Sequence, residues 1–163
     1  MENQSALEPQ NQIEPRRRSL VAVVLIALVV LVAASGFGLY YFFGPCGVNT
    51  VNEASKLLVD QLNIYDEAYQ VATSSPRISL IGPVTQIQQI LMDTKEVVVP
   101  SCMQKAKIAL VTSMEAAIRG FLAFMAQEAD VTVNSLMDQS LTHLGVFTTE
   151  LETVNKCAPF CSP

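Results

Sequence analysis

"FLAFMAQEADVTVNSL", Phe121 to Leu136, holds the end of one apolar-striped segment, a short polar turn and the start of another. Upstream of the turn, Met103, Ala106, Leu110, Met114, Ala117, Phe121 and Phe124 recur at spacings of three and four. Downstream, Val133, Leu136, Ser140, Leu144, Phe147, Leu151 and Val154 do the same. That period places each set on one face of an α-helix. Ser101 with Gln104 forms a capping box for the first helix, and Asp130 is the expected N-cap of the second. The two helices are nearly equal in length, so they are expected to fold back on each other about Ala129 and Asp130.

Two further helices are read on the N-terminal side. One opens at Thr50 with Glu53 as its capping partner and carries Val51, Ala54, Leu58, Leu62, Tyr65, Tyr69 and Ala72 on its apolar face. Ser75 and Pro76 stop it. A shorter helix is expected from Pro83, a favourable first-turn residue, with Val84, Ile87, Leu91 and Val98 inward. "EVVVP", Glu96 to Pro100, also reads as a short extended piece. The fold expected is all-α, an antiparallel up-down-up-down four-helix bundle over residues 49–163.

Before the bundle, "LVAVVLIALVVLVAASGFGLYYFF", Leu20 to Phe43, runs 24 residues without a charge. As a helix it would reach about 36 Å, enough for a bilayer core. Tyr40 and Tyr41 suit the aromatic interface belt. Arg16, Arg17 and Arg18 precede it, and the next basic residue is Lys56. The charge asymmetry predicts a single-pass protein of the cell membrane, with a disordered cytoplasmic tail at 1–19, an anchor at 20–43, a hinge at 44–48 and a periplasmic or extracellular domain beyond. The competing reading is a cleaved signal peptide with small residues Ala33 and Ser35 before Gly36, but the apolar run is longer than such a segment requires.

All four cysteines, Cys46, Cys102, Cys157 and Cys161, fall on the outer side, where disulfides persist. Cys102 lies as far before the turn as Cys157 lies after it, so the two reach one level. Cys46 precedes the first helix and Cys161 follows the last, which gathers all four at the membrane-proximal end. The expected bridges are Cys102 with Cys157 and Cys46 with Cys161, one of three possible connectivities. A four-thiolate zinc site would use the same cluster, but only Cys157 and Cys161 have knuckle-like spacing. The C-x-x-x-C spacing also departs from the C-x-x-C of redox centres.

No chemistry-bearing motif appears elsewhere. His143 is the one histidine, with Ser140 rather than an acid three residues before it, so a di-iron bundle is not expected. Nucleophile elbows, phosphate loops and haem signatures are absent. The expectation is no enzyme, no cofactor and no resident metal. The outer domain carries 12 acidic and 7 basic residues, which argues against a nucleic-acid partner.

Lys56, Lys95, Lys105, Lys107 and Lys156 lie toward the membrane-facing end and are read as a basic collar on anionic headgroups. Lys95 and Lys156 also suit helix C-termini, whereas Lys105 and Lys107 stand in a first turn, where the helix dipole disfavours cations. Tyr65, Tyr69, Glu128 and Asp130 are the candidate contacts for a partner or ligand. The function expected is an anchored interaction or structural module, an accessory subunit of a membrane complex, whose partners are the bilayer and a protein in or outside it. The competing function is a small-ligand module working with a transmembrane partner.

Overall fold

The computed structural model describes residues 26–36, 38–39, 44 and 46–158. The expected tail at 1–19, both ends of the apolar run and Cys161 lie outside them. Chain contacts divide the molecule between Leu39 and Tyr40 into two units. In the first, α1 (Ile26–Gly36) is a short apolar helix. Its side chains from Leu28 to Val32 are all more than half exposed, with apolar surface on every side.

The second unit is all-α, four helices packed together: α2 (Val48–Ser74), α3 (Ile81–Glu96), α4 (Gln104–Met125) and α5 (Asp130–Cys157). Single 3₁₀ turns at Arg77–Ser79 and Ser101–Met103 precede α3 and α4. Contacts across the unit set the helix directions. Ser55 of α2 meets Asn155 of α5 at 3.2 Å, and Tyr69, further up α2, reaches Met137, further back in α5. Ser113 bonds Ser140, and Gly120 abuts Met137, so α4 and α5 are antiparallel. Gln61 lies beside Thr94 of the returning α3.

Local chemistry explains where these helices begin and end. α2 starts at Val48, two residues before the expected cap, because the Thr50 hydroxyl donates back to the Gly44 carbonyl at 3.3 Å instead of capping. Its last turn is closed by Ser74 and Ser75 hydroxyls on the Gln70 and Val71 carbonyls, and Pro76 holds Ser75 extended. α3 begins at Ile81, so Pro83 falls within its first turn, where no intrahelical donor is needed. Asp130, the expected N-cap, is instead the first residue of α5, one past the observed cap Ala129, where its carboxylate favours the positive end of the helix.

The end of α4 is a paired turn. Glu128 N–H bonds the Ala123 carbonyl at 3.0 Å, Gln127 N–H bonds Phe124 at 3.2 Å, and Gln127 sits between them at φ 59°. This is the Schellman arrangement with glutamine at the left-handed position that glycine usually takes.

Between α3 and α4, Val97 to Pro100 is extended, and period-two geometry replaces helical spacing. Val98, expected inward, is therefore 89% exposed, while Val99 is buried. The core otherwise follows the sequence stripes: Val51, Ala54, Leu58, Val84, Ile87, Met103, Leu110, Met114, Ala117, Phe121 and Phe147 are all buried. Leu62, Tyr69, Leu91, Phe124, Leu144 and Leu151 pack against it from the rim.

α4 is the central helix. With its preceding turn it spans Ser101–Met125 and, among the described residues, is long and apolar enough to cross a membrane by length and composition. Its buried face carries small residues, Ala109, Ser113, Ala116, Ala117, Gly120 and Ala123, which let α5 approach closely. A Cβ on Gly120 would stand 2.8 Å from the terminal methyl of Met137, so the missing side chain makes room for that methionine.

Candidate functional site

The end of the domain that follows the apolar run gathers the start of α2, the end of α3, the start of α4 and the end of α5. Cys46 and Cys102 are bonded there, across a sequence separation of 56 residues with Cα atoms 6.3 Å apart. This overturns both expected bridges, Cys102 with Cys157 and Cys46 with Cys161. Counting residues from the turn gave the level of Cys102 along the bundle but not its direction around the axis. The 3₁₀ turn at Ser101–Met103 presents Cys102 to the start of α2 rather than to α5. Cys157 is also disulfide-bonded, and its partner lies outside the described residues.

The expected hinge is correspondingly tied down. Gly44 is buried, and its carbonyl accepts from Gly47 N–H at 2.8 Å and from Thr50. The Thr50 hydrogen bond and the Cys46–Cys102 disulfide hold the segment against the domain.

The five lysines separate into two kinds. Lys107 Nζ donates to the carbonyls of Lys95 and Val97 at 2.6 and 2.7 Å, so it caps the C-terminal end of α3. Its placement in the first turn of α4 is thus explained by a neighbouring helix, whose exposed carbonyls attract a cation. Lys95 pairs with Glu115 of α4 at 2.7 Å, and Lys156 with Glu152 one turn back at 3.1 Å. Both pairs are solvent-exposed and contribute at most about 1 kcal/mol each. Lys56 and Lys105 are exposed.

The tyrosine pair belongs to the interior. Tyr65 is 4% exposed, its ring centroid 5.7 Å from that of Tyr69, which in turn meets Phe121 edge-on at 5.4 Å. Burial pushes the Tyr65 phenol up to about 12, opposed by its hydrogen bond with the Ser140 side chain. Ser140 also receives Ser113, whose hydroxyl donates to its carbonyl at 2.8 Å. Three helices are thus joined by one buried polar cluster, and among the described residues no buried side-chain polar atom lacks a partner. Burial takes Tyr65 out of reach of a partner protein. The Tyr69 phenol is raised in the same direction by partial burial, and its hydroxyl lies 3.8 Å from the Met137 sulfur.

At the opposite end, Glu128 and Asp130 are exposed beside Val131, which is 74% exposed. His143 lines an open depression of about 620 Å³ along α5 with Val131, Asn134, Ser135, Asp138, Gln139 and Thr142. Among the described residues no group of three or more His, Cys, Asp or Glu side chains could hold a metal ion.

Sequence reasoning missed a groove at the disulfide end, lined by Thr50, Glu53, Ala54 and Leu57 of α2 and by Val98, Val99 and Pro100 of the connector. The extended reading of "EVVVP" was the signal that could have found it. Comparison of the chain with protein-family models, curated proteins and solved structures finds no match.

Proposed function

We propose that this chain is a membrane-anchored, extracytoplasmic interaction module, an accessory subunit that holds a disulfide-stapled helical domain at the bilayer surface for a protein partner. The observation that carries the reading is the charge-free run Leu20 to Phe43, preceded by three arginines and followed at once by a domain whose described cysteines are all oxidised. Two independent physical facts converge in it. A bilayer selects the length and apolarity of the run, and an oxidising compartment selects the disulfides. The all-round apolar surface of α1 supports the same reading, since such a helix needs lipid or protein on every side.

In this reading the N-terminus is cytoplasmic, the membrane is crossed once, and the disulfide end of the four-helix bundle faces the bilayer. Lys56 and Lys105 remain as the basic contacts of the collar, because Lys107, Lys95 and Lys156 are engaged within the domain. The acidic tip at Glu128 and Asp130, with Val131 beside it, is the contact offered to the partner.

Alkaline carbonate extraction of membranes containing the full chain, combined with protease protection, tests the anchor. The protein is expected in the pellet, with residues 44–163 protected from cytoplasmic-side protease. Recovery in the supernatant contradicts the anchor. The module reading is tested by photo-crosslinking from position 131 in intact membranes. A discrete adduct lost in Glu128→Lys with Asp130→Lys supports it, and an adduct indifferent to those changes contradicts the tip as the contact.

A further inference from the structure

We propose that the groove between the first turns of α2 and the Val97–Pro100 connector is a lipid-contact site, with Val98 entering the interfacial zone of the bilayer. The inference rests on the anchor reading above and adds where the domain touches the membrane and through what chemistry.

The groove has a volume of about 340 Å³. One wall is α2, where Leu57 is 46% exposed, and the other is the connector, where Val98 is 89% exposed and Pro100 follows. A single exposed valine would need no explanation. The position of this one does. Thr50, a wall residue, holds the Gly44 carbonyl at 3.3 Å, and Gly44 is the residue immediately after Phe43, where the apolar run ends. The groove therefore lies within one side chain of the point where the chain would leave the membrane.

The disulfide fixes the other wall to the same place. Cys102 follows Pro100 by two residues, and its bond to Cys46 ties the connector to the segment that leaves the run. Covalent continuity thus limits what can cover the groove. Any partner would compete with the bilayer from which the chain has just emerged.

The chemistry of the lining selects the part of the lipid. Glu53 stands in the groove, so an anionic headgroup would meet a like charge there. Val98, Leu57 and Pro100 offer apolar surface instead, over the buried Ala54 and Val99, suited to the upper acyl chains. Contact through this groove should therefore persist in neutral phosphatidylcholine bilayers. In this it differs from a basic collar, which requires anionic lipid.

The chain has no tryptophan, so each introduced one is a unique reporter. The full-length protein would be reconstituted in phosphatidylcholine vesicles carrying a spin label near the headgroup or deep in the acyl chain. Variants Val98→Trp and Leu57→Trp report the groove, Val30→Trp the apolar run, and Ile78→Trp, 90% exposed at the opposite end of the domain, the background. The expected result is quenching of Val30→Trp by the deep label, and blue-shifted emission of Val98→Trp with shallow-label quenching at least about twofold above that of Ile78→Trp. Leu57→Trp should follow Val98→Trp more weakly, and all four variants should keep the helical circular dichroism of the parent.

If Val30→Trp is quenched but both groove reporters behave like Ile78→Trp, the lipid-contact site is refuted and the anchor stands. If Val30→Trp itself is not quenched, the anchor reading fails, and the lipid site fails with it.

Discussion

Two stretches of this chain are apolar enough for a bilayer, and they differ in what surrounds them. α4 carries Lys105, Glu115 and Arg119 toward one side and buries Ala106, Leu110, Met114 and Ala117 completely on the other. The Leu20–Phe43 run carries no charge, and its described part exposes Ile26 and Leu28 through Val32 around the whole helix. The arrangement separates the two, because a one-faced helix is satisfied by neighbouring helices and an all-round apolar one is not.

The strongest way to break this comparison is to place an arginine in each. Ala117→Arg puts an unpaired cation and excess volume into the closest-packed interface of the domain. It should cost more than about 4 kcal/mol and abolish cooperative unfolding. Val30→Arg should leave the thermal unfolding of the domain unchanged while weakening membrane retention by about 3 kcal/mol of insertion free energy. Equal loss of domain stability in both variants would mean that α1 belongs to the protein core.

Next in size is the Cys46–Cys102 bond. It closes a loop of 56 residues in separation, and Cys102→Ser should lower stability by about 2–4 kcal/mol in urea denaturation of the otherwise oxidised protein. The run at 20–43 should be indifferent to this change, which sharpens the contrast between bilayer and core as sources of stability.

The buried polar cluster gives a pH signature. The folded Tyr65 phenol titrates at about 12 against an ordinary value of 10. The protonated form is therefore favoured by folding, its contribution is complete below pH 10, and it is lost as pH rises toward 12. The expected loss is roughly 2 kcal/mol across that interval, measured by denaturant titration, and Tyr65→Phe should flatten it. Tyr69 shifts in the same direction and adds to the slope.

The smallest effect separates the lysines. Lys107→Met removes the cap from the α3 carbonyls and should cost about 1 kcal/mol, whereas Lys105→Met, at an exposed position, should stay within about 0.5 kcal/mol. If both changes were neutral, the capping role of Lys107 would be wrong and its place in a membrane collar would reopen.

What was legible in the sequence followed from periodicity. The stripes of α2, α4 and α5 and most of their core residues could be read because helical spacing is a local property. The gathering of Cys102 and Cys157 at one end also followed, from equal counts about the Ala129 turn, and that of Cys46 from its place before the first helix. The pairing did not, because residue counting carries no information about direction around the bundle axis. The capping contact of Lys107 was not legible for a similar reason, since the carbonyls it caps belong to another helix. Gln127 gave no signal because the left-handed position at the end of α4 holds no glycine. At the candidate site, the exposure of Val98 depended on whether "EVVVP" continued a helix or ran extended, and the two β-branched neighbours Val97 and Val99 suit either.

The most direct measurement is hydrogen exchange by mass spectrometry on the full chain in lipid nanodiscs, with and without urea. The account predicts that α4 is protected without denaturant and exchanges freely once urea unfolds the domain, while Leu20 to Phe43 stays protected under both conditions. Protection of α4 that survives urea, with rapid exchange of residues 20–43, would place the wrong helix in the bilayer and contradict the account.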